Sequence, residues 1–135
     1  LDLEPTPEWQ NSFKDFVDLS NESNVMIGVG LAPINKKHAA DLAKKIELFM
    51  NLGVRSFSLL FDDIEQKFSL SEQLDLFKQT KTKFNDTHLN FCPTVYCSEL
   101  ITKDQNHEDY FNEFCSIFPK DEKFIWTGKK VISRK

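Results

Sequence analysis

The apolar residues of this chain switch repeatedly between the spacing of a helix and the compact run of a buried strand. A segment with helical spacing and a polar opposite side covers residues 9–19, and a short apolar run follows it at residues 25–31. The same alternation continues to the end of the chain. It predicts strands at residues 25–31, 54–61, 89–93 and 123–126, and helices at residues 9–19, 35–51, 71–84 and 108–118.

Turn-forming and capping residues mark where these elements begin and end. Asn35 and Ser71 stand where an N-cap belongs, because their short polar side chains can accept a backbone N–H of the first helical turn. Gly53 ends the second helix. Residues 94–100 are predicted to form the loop that leaves the third strand.

Strands and helices that alternate about every 30 residues indicate βαβ units and a parallel sheet. Right-handed crossovers could build either a doubly wound sheet or part of a TIM (β/α)8 barrel. Gly28 and Gly30 lack the third glycine of a phosphate-binding loop and lie inside a strand, which favours the barrel. Four strands are half of eight, so residues 1–135 are expected to form one partial barrel domain. The remaining barrel segments or a second chain would complete it.

Composition excludes several classes of function. The chain is 40% hydrophobic and 28% charged, as globular domains are, and its formal charge of -4 argues against a nucleic-acid partner. No apolar run approaches the roughly 18 residues of a membrane span. Three cysteines, an odd and low count, fit reduced thiols in a cytoplasmic or nuclear protein. The sequence begins without Met or a signal peptide, so we expect it to be cut from a longer protein.

An acidic pair, Asp62 and Asp63, follows the second predicted strand directly. Active sites of parallel β/α proteins lie at the carboxyl ends of the strands. Adjacent carboxylates repel each other, and partial burial raises the pKa of at least one of them, as a general acid at neutral pH requires. A solvated turn or a helix cap explains an aspartate here equally well. Pattern alone leaves both interpretations open.

Three longer motifs resemble the animal O-GlcNAcase family and occur in the family's order with similar separations. They are Val-Arg-Ser-Phe-Ser-Leu-Leu-Phe-Asp-Asp-Ile at 54–64, Phe-Cys-Pro-Thr-Val-Tyr-Cys at 91–97 and Ile-Trp-Thr-Gly-Lys-Lys-Val-Ile-Ser at 125–133. The resemblance covers most of the chain from about Asp41 onward. It implies a β/α barrel that removes β-linked N-acetylglucosamine from serine and threonine of intracellular, O-GlcNAc-modified proteins.

The resemblance also implies a mechanism and assigns residues to it. The sugar's own 2-acetamido oxygen attacks the anomeric carbon and forms an oxazoline, so the configuration is retained without an enzyme nucleophile. Asp62 would orient and polarise the acetamide N–H, and Asp63 would protonate the departing oxygen and then deprotonate water. Cys92, Tyr96 and Thr127 match positions that line the acetamide pocket.

Other roles for these residues are possible on the sequence alone. Cys92 beside Pro93 could be a small buried residue and nothing more. Neither His nor further Cys lies at ligand spacing from Cys92 and Cys97, so we expect no metal and no cofactor. Trp126 is expected to pack, leaving Thr127 as the more exposed contact.

Some of the family's residues have no counterpart here. The segment Gly-Val-Gly-Leu-Ala-Pro at 28–33 lacks the aspartate of the family's Ser-Pro-Gly-Leu-Asp stretch, and several groups that grip the sugar hydroxyls are missing. We therefore expect little or no hydrolase activity from these 135 residues alone. Two alternatives stay open: a non-catalytic glycan-binding or interaction module derived from the same barrel, and an unrelated α/β domain whose acidic pair holds a divalent cation.

Overall fold

A computed structural model describes residues 5–33, 38–62 and 69–132 of the chain. Helices and strands alternate, and the chain is an α/β domain. Two of the predictions, the N-cap at Asn35 and the second carboxylate Asp63, lie outside the described residues. The described elements are α1 (Pro7–Glu22), β1 (Gly28–Leu31), α2 (His38–Asn51), β2 (Ser56–Leu60), α3 (Leu70–Lys83), β3 (His88–Cys92), α4 (Ser98–Ile101) and α5 (Gln105–Ile117).

The strands form one parallel sheet in the order β1-β2-β3, which is their order along the chain. A fourth strand was predicted at residues 123–126, and this is wrong for the described structure. Only Phe124 makes a parallel bridge, to Phe91 of β3. Two backbone bonds accompany it, from Phe91 N to Lys123 O (3.4 Å) and from Ile125 N to Phe91 O (2.8 Å). The segment therefore starts to pair beside β3 without becoming a strand.

Side chains alternate across the sheet and give its two faces different characters. We call one the apolar face; the register aligns its residues in two rows, Val29–Phe57–Leu89 and Leu31–Leu59–Phe91. We call the other the glycine–serine face, with the rows Gly28–Ser56–His88 and Gly30–Ser58–Asn90. Leu60 belongs to this second face, since a Cβ placed on Gly30 would lie 2.8 Å from the Leu60 Cδ1 atom.

The longer helices pack together with the apolar face into one hydrophobic core. Apolar side chains at helical spacing supply this contact from each helix, as the sequence pattern predicted. The contributors are Val17 of α1, Leu42 and Ile46 of α2, Leu70, Leu74 and Phe77 of α3, and Phe114 of α5. A doubly wound sheet carries helices on both faces. In the described residues the longer helices instead gather on the apolar face of the three-stranded sheet.

Helix starts follow from short polar side chains placed one residue before the first turn. Thr6 caps α1, and its Oγ1 atom accepts the N–H of Trp9 at 3.3 Å. Helix α3 begins with a capping box, in which Ser69 accepts the N–H of Glu72 while the Glu72 carboxylate accepts the N–H of Ser69. The predicted cap at Ser71 is therefore wrong by two residues, because the reciprocal pair needs a Glu three residues after the cap.

Several predicted boundaries also differ from the structure. Strand β1 starts at Gly28 rather than at residue 25, and the predicted loop at residues 94–100 contains the start of α4. Ile117, an apolar residue within the helix predicted at 108–118, is 45% exposed. It lies in the last turn of that helix, whereas Phe114 and Phe118 on either side of it pack against Phe91 of β3.

Candidate active site

The carboxyl end of β2 carries the first of the predicted catalytic residues. Phe61 continues the sheet past β2, since its N–H donates to the Cys92 carbonyl at 2.9 Å and its side chain is fully buried. Asp62 follows immediately and is half-buried. The buried Phe61 thus fixes the point at which the backbone leaves the sheet, and Asp62 is the first polar side chain at that edge.

The loop after β3 is anchored by alternate side chains. Pro93, Val95 and Cys97 are buried, and the last two are 1% and 0% exposed. Thr94 and Tyr96 alternate with them and are only half-buried. Cys92, at the end of β3, is 4% exposed, which agrees with the interpretation of a small buried residue and equally with a pocket wall. Tyr96 is therefore not one of the fully buried side chains that anchor the loop.

Backbone hydrogen bonds join this loop to the segment that contains Thr127. The Thr127 N–H donates to the Tyr96 carbonyl at 3.0 Å, and the Ser98 N–H donates to the Gly128 carbonyl at 3.0 Å. Thr127 is exposed, whereas Trp126 packs with its ring centroid 5.6 Å from that of Phe111. The expected contrast between a packing Trp126 and a more exposed Thr127 is confirmed.

A ring of three polar side chains, which the sequence pattern did not identify, underlies the same loop. The Tyr110 hydroxyl accepts the Thr94 N–H at 3.1 Å and donates to the Gln73 Oε1 atom at 2.7 Å. The Gln73 Nε2 atom donates to the Thr94 Oγ1 atom at 3.0 Å, which closes the ring. The sequence contained one indication of this ring. Gln73 lies among the inward positions of α3, and a buried amide there needs hydrogen-bond partners.

Burial raises the pKa of Tyr110 to about 12. The hydrogen bonds that its oxygen receives from Thr94 act in the opposite direction but are outweighed. The hydroxyl is therefore protonated at neutral pH and can donate to Gln73 while it accepts from Thr94.

An apolar groove of about 450 Å³ lies elsewhere, between α5 and the segment after it. None of the residues that line it is a predicted site residue. Its walls are Phe111, Phe114, Cys115, Phe118, Pro119, Lys120, Glu122, Phe124 and Trp126. No cluster of three potential metal ligands is found among residues 5–33, 38–62 and 69–132. None of the helices in those ranges is long and apolar enough to cross a membrane.

Comparison with known families decides the classification of the chain. The sequence model of the family described as beta-N-acetylglucosaminidase matches residues 4–135. The chain belongs to the beta-N-acetylglucosaminidase family. Because the match starts at residue 4, this family's pattern also takes in the N-terminal part, where the three motifs give no signal.

Two curated relatives agree with this family assignment. The chain is similar to "Protein O-GlcNAcase" of Mus musculus and of Rattus norvegicus, with 26% identity to each over 79% of its own length. It spans 13% of each relative's length. The resemblance drawn from the motifs is therefore confirmed, and the chain corresponds to a small part of these larger proteins.

Within this family member, four of the five predicted site residues lie at or beyond the carboxyl ends of β2 and β3, and the fifth, Asp63, lies outside the described residues. Asp62 follows β2, Cys92 ends β3, and Tyr96 and Thr127 lie on segments that are hydrogen-bonded to each other. The carboxyl ends of β2 and β3 lie at the same edge of the sheet, because the strands are parallel. Strand order and backbone bonding thus place together residues that are up to 65 positions apart in the sequence (62 and 127).

Proposed function

We propose that this chain is part of a β/α barrel that hydrolyses β-linked N-acetylglucosamine from serine and threonine of proteins. The observation that carries the proposal is the single carboxyl edge shared by Asp62, Cys92, Tyr96 and Thr127 in a beta-N-acetylglucosaminidase family member. The similarity to the mouse and rat proteins named "Protein O-GlcNAcase" supports an O-linked N-acetylglucosamine substrate. Modified proteins in the cytoplasm and nucleus would be the substrates.

The proposed barrel would be completed by segments other than those described here. Helices on one face and strands in chain order support it, as does the glycine–serine face. Gly28 and Gly30 on that face are exposed, and small residues suit the crowded interior of a closed barrel. Either further segments of the same protein or a second chain would cover this face.

In the proposed reaction the acetamide oxygen of the substrate attacks its own anomeric carbon. Asp62 accepts the acetamide N–H, which increases the electron density on the attacking oxygen and stabilises the oxazoline. Asp63 gives its proton to the serine or threonine oxygen as the glycosidic bond breaks, and later takes a proton from the water that opens the oxazoline. Cys92, Tyr96 and Thr127 surround the acetamide, so that its oxygen is held near the anomeric carbon.

The decisive experiment measures hydrolysis of aryl N-acetyl-β-glucosaminides with leaving groups of graded acidity. It uses residues 1–135 and also this chain within its complete reading frame. Asp63→Asn should lower kcat by about 100-fold or more for poor leaving groups, because these depend on the general acid. Asp62→Asn should lower the rate of hydrolysis for all of these glycosides, whatever the leaving group. Asp86→Asn, an exposed aspartate in the turn before β3, is the control and should leave the rates unchanged.

Substrate assistance has its own signature. Replacing the acetyl group by mono-, di- and trifluoroacetyl lowers the nucleophilicity of the attacking oxygen. The rate of hydrolysis should therefore fall along that series. The first-formed sugar should keep the β configuration, as followed by NMR of the anomeric proton. Inversion, or rates independent of fluorination, would rule out the mechanism. If the complete protein binds the glycoside without turnover, the result would instead support the glycan-binding module. A rise in the protein's melting temperature with Mg²⁺ or Ca²⁺ would support the cation-binding domain.

A further inference from the structure

The loop at residues 93–97 is the part of the proposed acetamide pocket whose position the fold determines most closely. Val95 and Cys97 hold it to the core from below, yet apolar contacts alone permit sliding of a short loop. Directional contacts are needed to fix its path. They are supplied at Thr94, two residues before Tyr96, by the Tyr110 hydroxyl and the Gln73 amide.

Each of the three residues in this ring forms hydrogen bonds with the other two. Tyr110 both accepts from the Thr94 N–H (3.1 Å) and donates to Gln73 (2.7 Å), so its hydroxyl proton has a defined direction. Gln73 is 1% exposed, and hydrogen bonds in such surroundings strengthen one another. The Tyr110 ring is held independently, stacked on Phe114 with centroids 6.5 Å apart and planes within 7°. Removing the hydroxyl alone would therefore remove two of these three hydrogen bonds without displacing the aromatic side chain.

A displacement at Thr94 would be transmitted to both proposed binding residues. Tyr96 lies two residues further along the chain, and its carbonyl accepts the Thr127 N–H at 3.0 Å. The start of α4 is also hydrogen-bonded to the residues after Thr127. The Ser98 N–H donates to the Gly128 carbonyl (3.0 Å), and the Glu99 N–H donates to the Lys129 carbonyl (3.0 Å). Backbone hydrogen bonds therefore connect the loop to the Thr127 segment, and Thr94 is the point at which Tyr110 and Gln73 hold the loop.

We propose that Tyr110 and Gln73 are positioning residues for recognition of the N-acetyl group: through Thr94 they set the position of Tyr96 and Thr127. This inference rests on the proposed function, since it takes Tyr96 and Thr127 as acetamide contacts. It adds two residues, from helices α3 and α5, that lie outside the three sequence motifs.

The test compares binding of methyl N-acetyl-β-glucosaminide with binding of methyl β-glucoside, which lacks the acetamide. The protein is this chain within its complete reading frame, studied well below its melting temperature. Tyr110→Phe should reduce the preference for the acetamide sugar roughly tenfold, the usual scale for one lost hydrogen bond to a buried group. Affinity for methyl β-glucoside should stay the same. Ser116→Ala removes another hydroxyl from α5, one bonded to the Asn112 carbonyl, and should change neither affinity.

Hydrogen exchange provides a readout that needs no sugar. In Tyr110→Phe the amides of Thr94, Ser98, Glu99 and Thr127 should exchange faster, whereas amides of β2 should not. If Tyr110→Phe does not fold, the pair Thr94→Val and Thr94→Ser replaces it: the valine variant should lose the preference, and the serine variant, which keeps the hydroxyl, should retain it.

The outcomes separate this inference from the proposed function. If the unaltered protein binds the two sugars with equal affinity, the proposed function is contradicted. Acetamide recognition by this loop is then contradicted as well. A clear preference that survives in Tyr110→Phe, or a parallel loss of affinity for both sugars, would overturn the positioning role alone. Faster amide exchange in Tyr110→Phe, together with a reduced preference for the acetamide sugar, supports both the proposed function and the positioning role.

Discussion

The two faces of the sheet differ in what fixes their residues. Residues on the apolar face are held by tight contact with the helices: Phe57, Leu59 and Phe91 are each 0% exposed. On the glycine–serine face Gly28 and Gly30 are exposed and Asn90 and Ser58 half-buried. The apolar face is therefore the more closely packed of the two, and the glycine–serine face is the one that the proposed further barrel segments would cover.

The largest expected effect tests this contrast on neighbouring positions of β3. Phe91→Ala removes a ring whose centroid lies 5.2 to 6.0 Å from those of Phe61, Phe77, Phe114 and Phe118. The unfolding free energy should fall by about 3–5 kcal/mol, through lost burial and the cavity left behind.

Asn90→Ala is the matched control on the glycine–serine face. Its amide makes one long hydrogen bond, 3.5 Å to the Phe57 carbonyl, so the loss should be below about 1 kcal/mol. Urea unfolding of both variants measures the difference. Equal losses at positions 90 and 91 would show that the two faces are packed to the same degree.

A smaller effect concerns the polar ring on the helix-covered side. The pKa of Tyr110 is about 12 in the folded chain and roughly 10 in an unfolded one. A raised pKa favours the protonated form, so its stabilising contribution is complete below pH 10 and is lost as pH rises toward 12. Between these values the unfolding free energy should fall by roughly 2 kcal/mol on account of Tyr110.

Tyr110→Phe should lack this alkaline decline, and Ser116→Ala should retain it. Urea unfolding at a series of pH values from neutral to alkaline provides the curves, and their difference isolates the tyrosine from other titrating groups. Identical curves for Tyr110→Phe and the unaltered chain would mean that the hydroxyl is not held in the buried ring.

The smallest effect compares two glycines. Gly53, in the turn after α2, has φ +97°, and a Cβ there would lie 3.2 Å from Val17 Cγ1. Gly53→Ala should cost about 1–2 kcal/mol, because an L side chain is strained in the left-handed region. Gly30→Ala should change stability by less than about 1 kcal/mol, since the nearby Leu60 methyl group can turn away. Thermal unfolding compares them, and a larger loss at Gly30 would show the glycine–serine face to be rigid.

The order and type of most elements could be predicted from sequence, because apolar spacing reports directly which side of each element is buried. Helix boundaries were less accurate: Ser69 and Ser71 are chemically alike, and only the reciprocal bonds with Glu72 distinguish them. The run at 123–126 looks like a strand locally, but pairing depends on a neighbour, and only Phe124 meets one. Asp63, the predicted general acid, stays a prediction.

The sequence by itself determined the family, through three motifs that keep their order, and the α/β alternation, through hydrophobic period. It also placed Asp62 directly after the second strand, Cys92 at the end of the third and Tyr96 in the loop that follows it. Only the tertiary structure decided that Tyr96 and Thr127 are bonded neighbours and that Thr94, Gln73 and Tyr110 form a closed ring. Periodicity records how each residue faces the core, whereas such contacts depend on how distant segments meet in space.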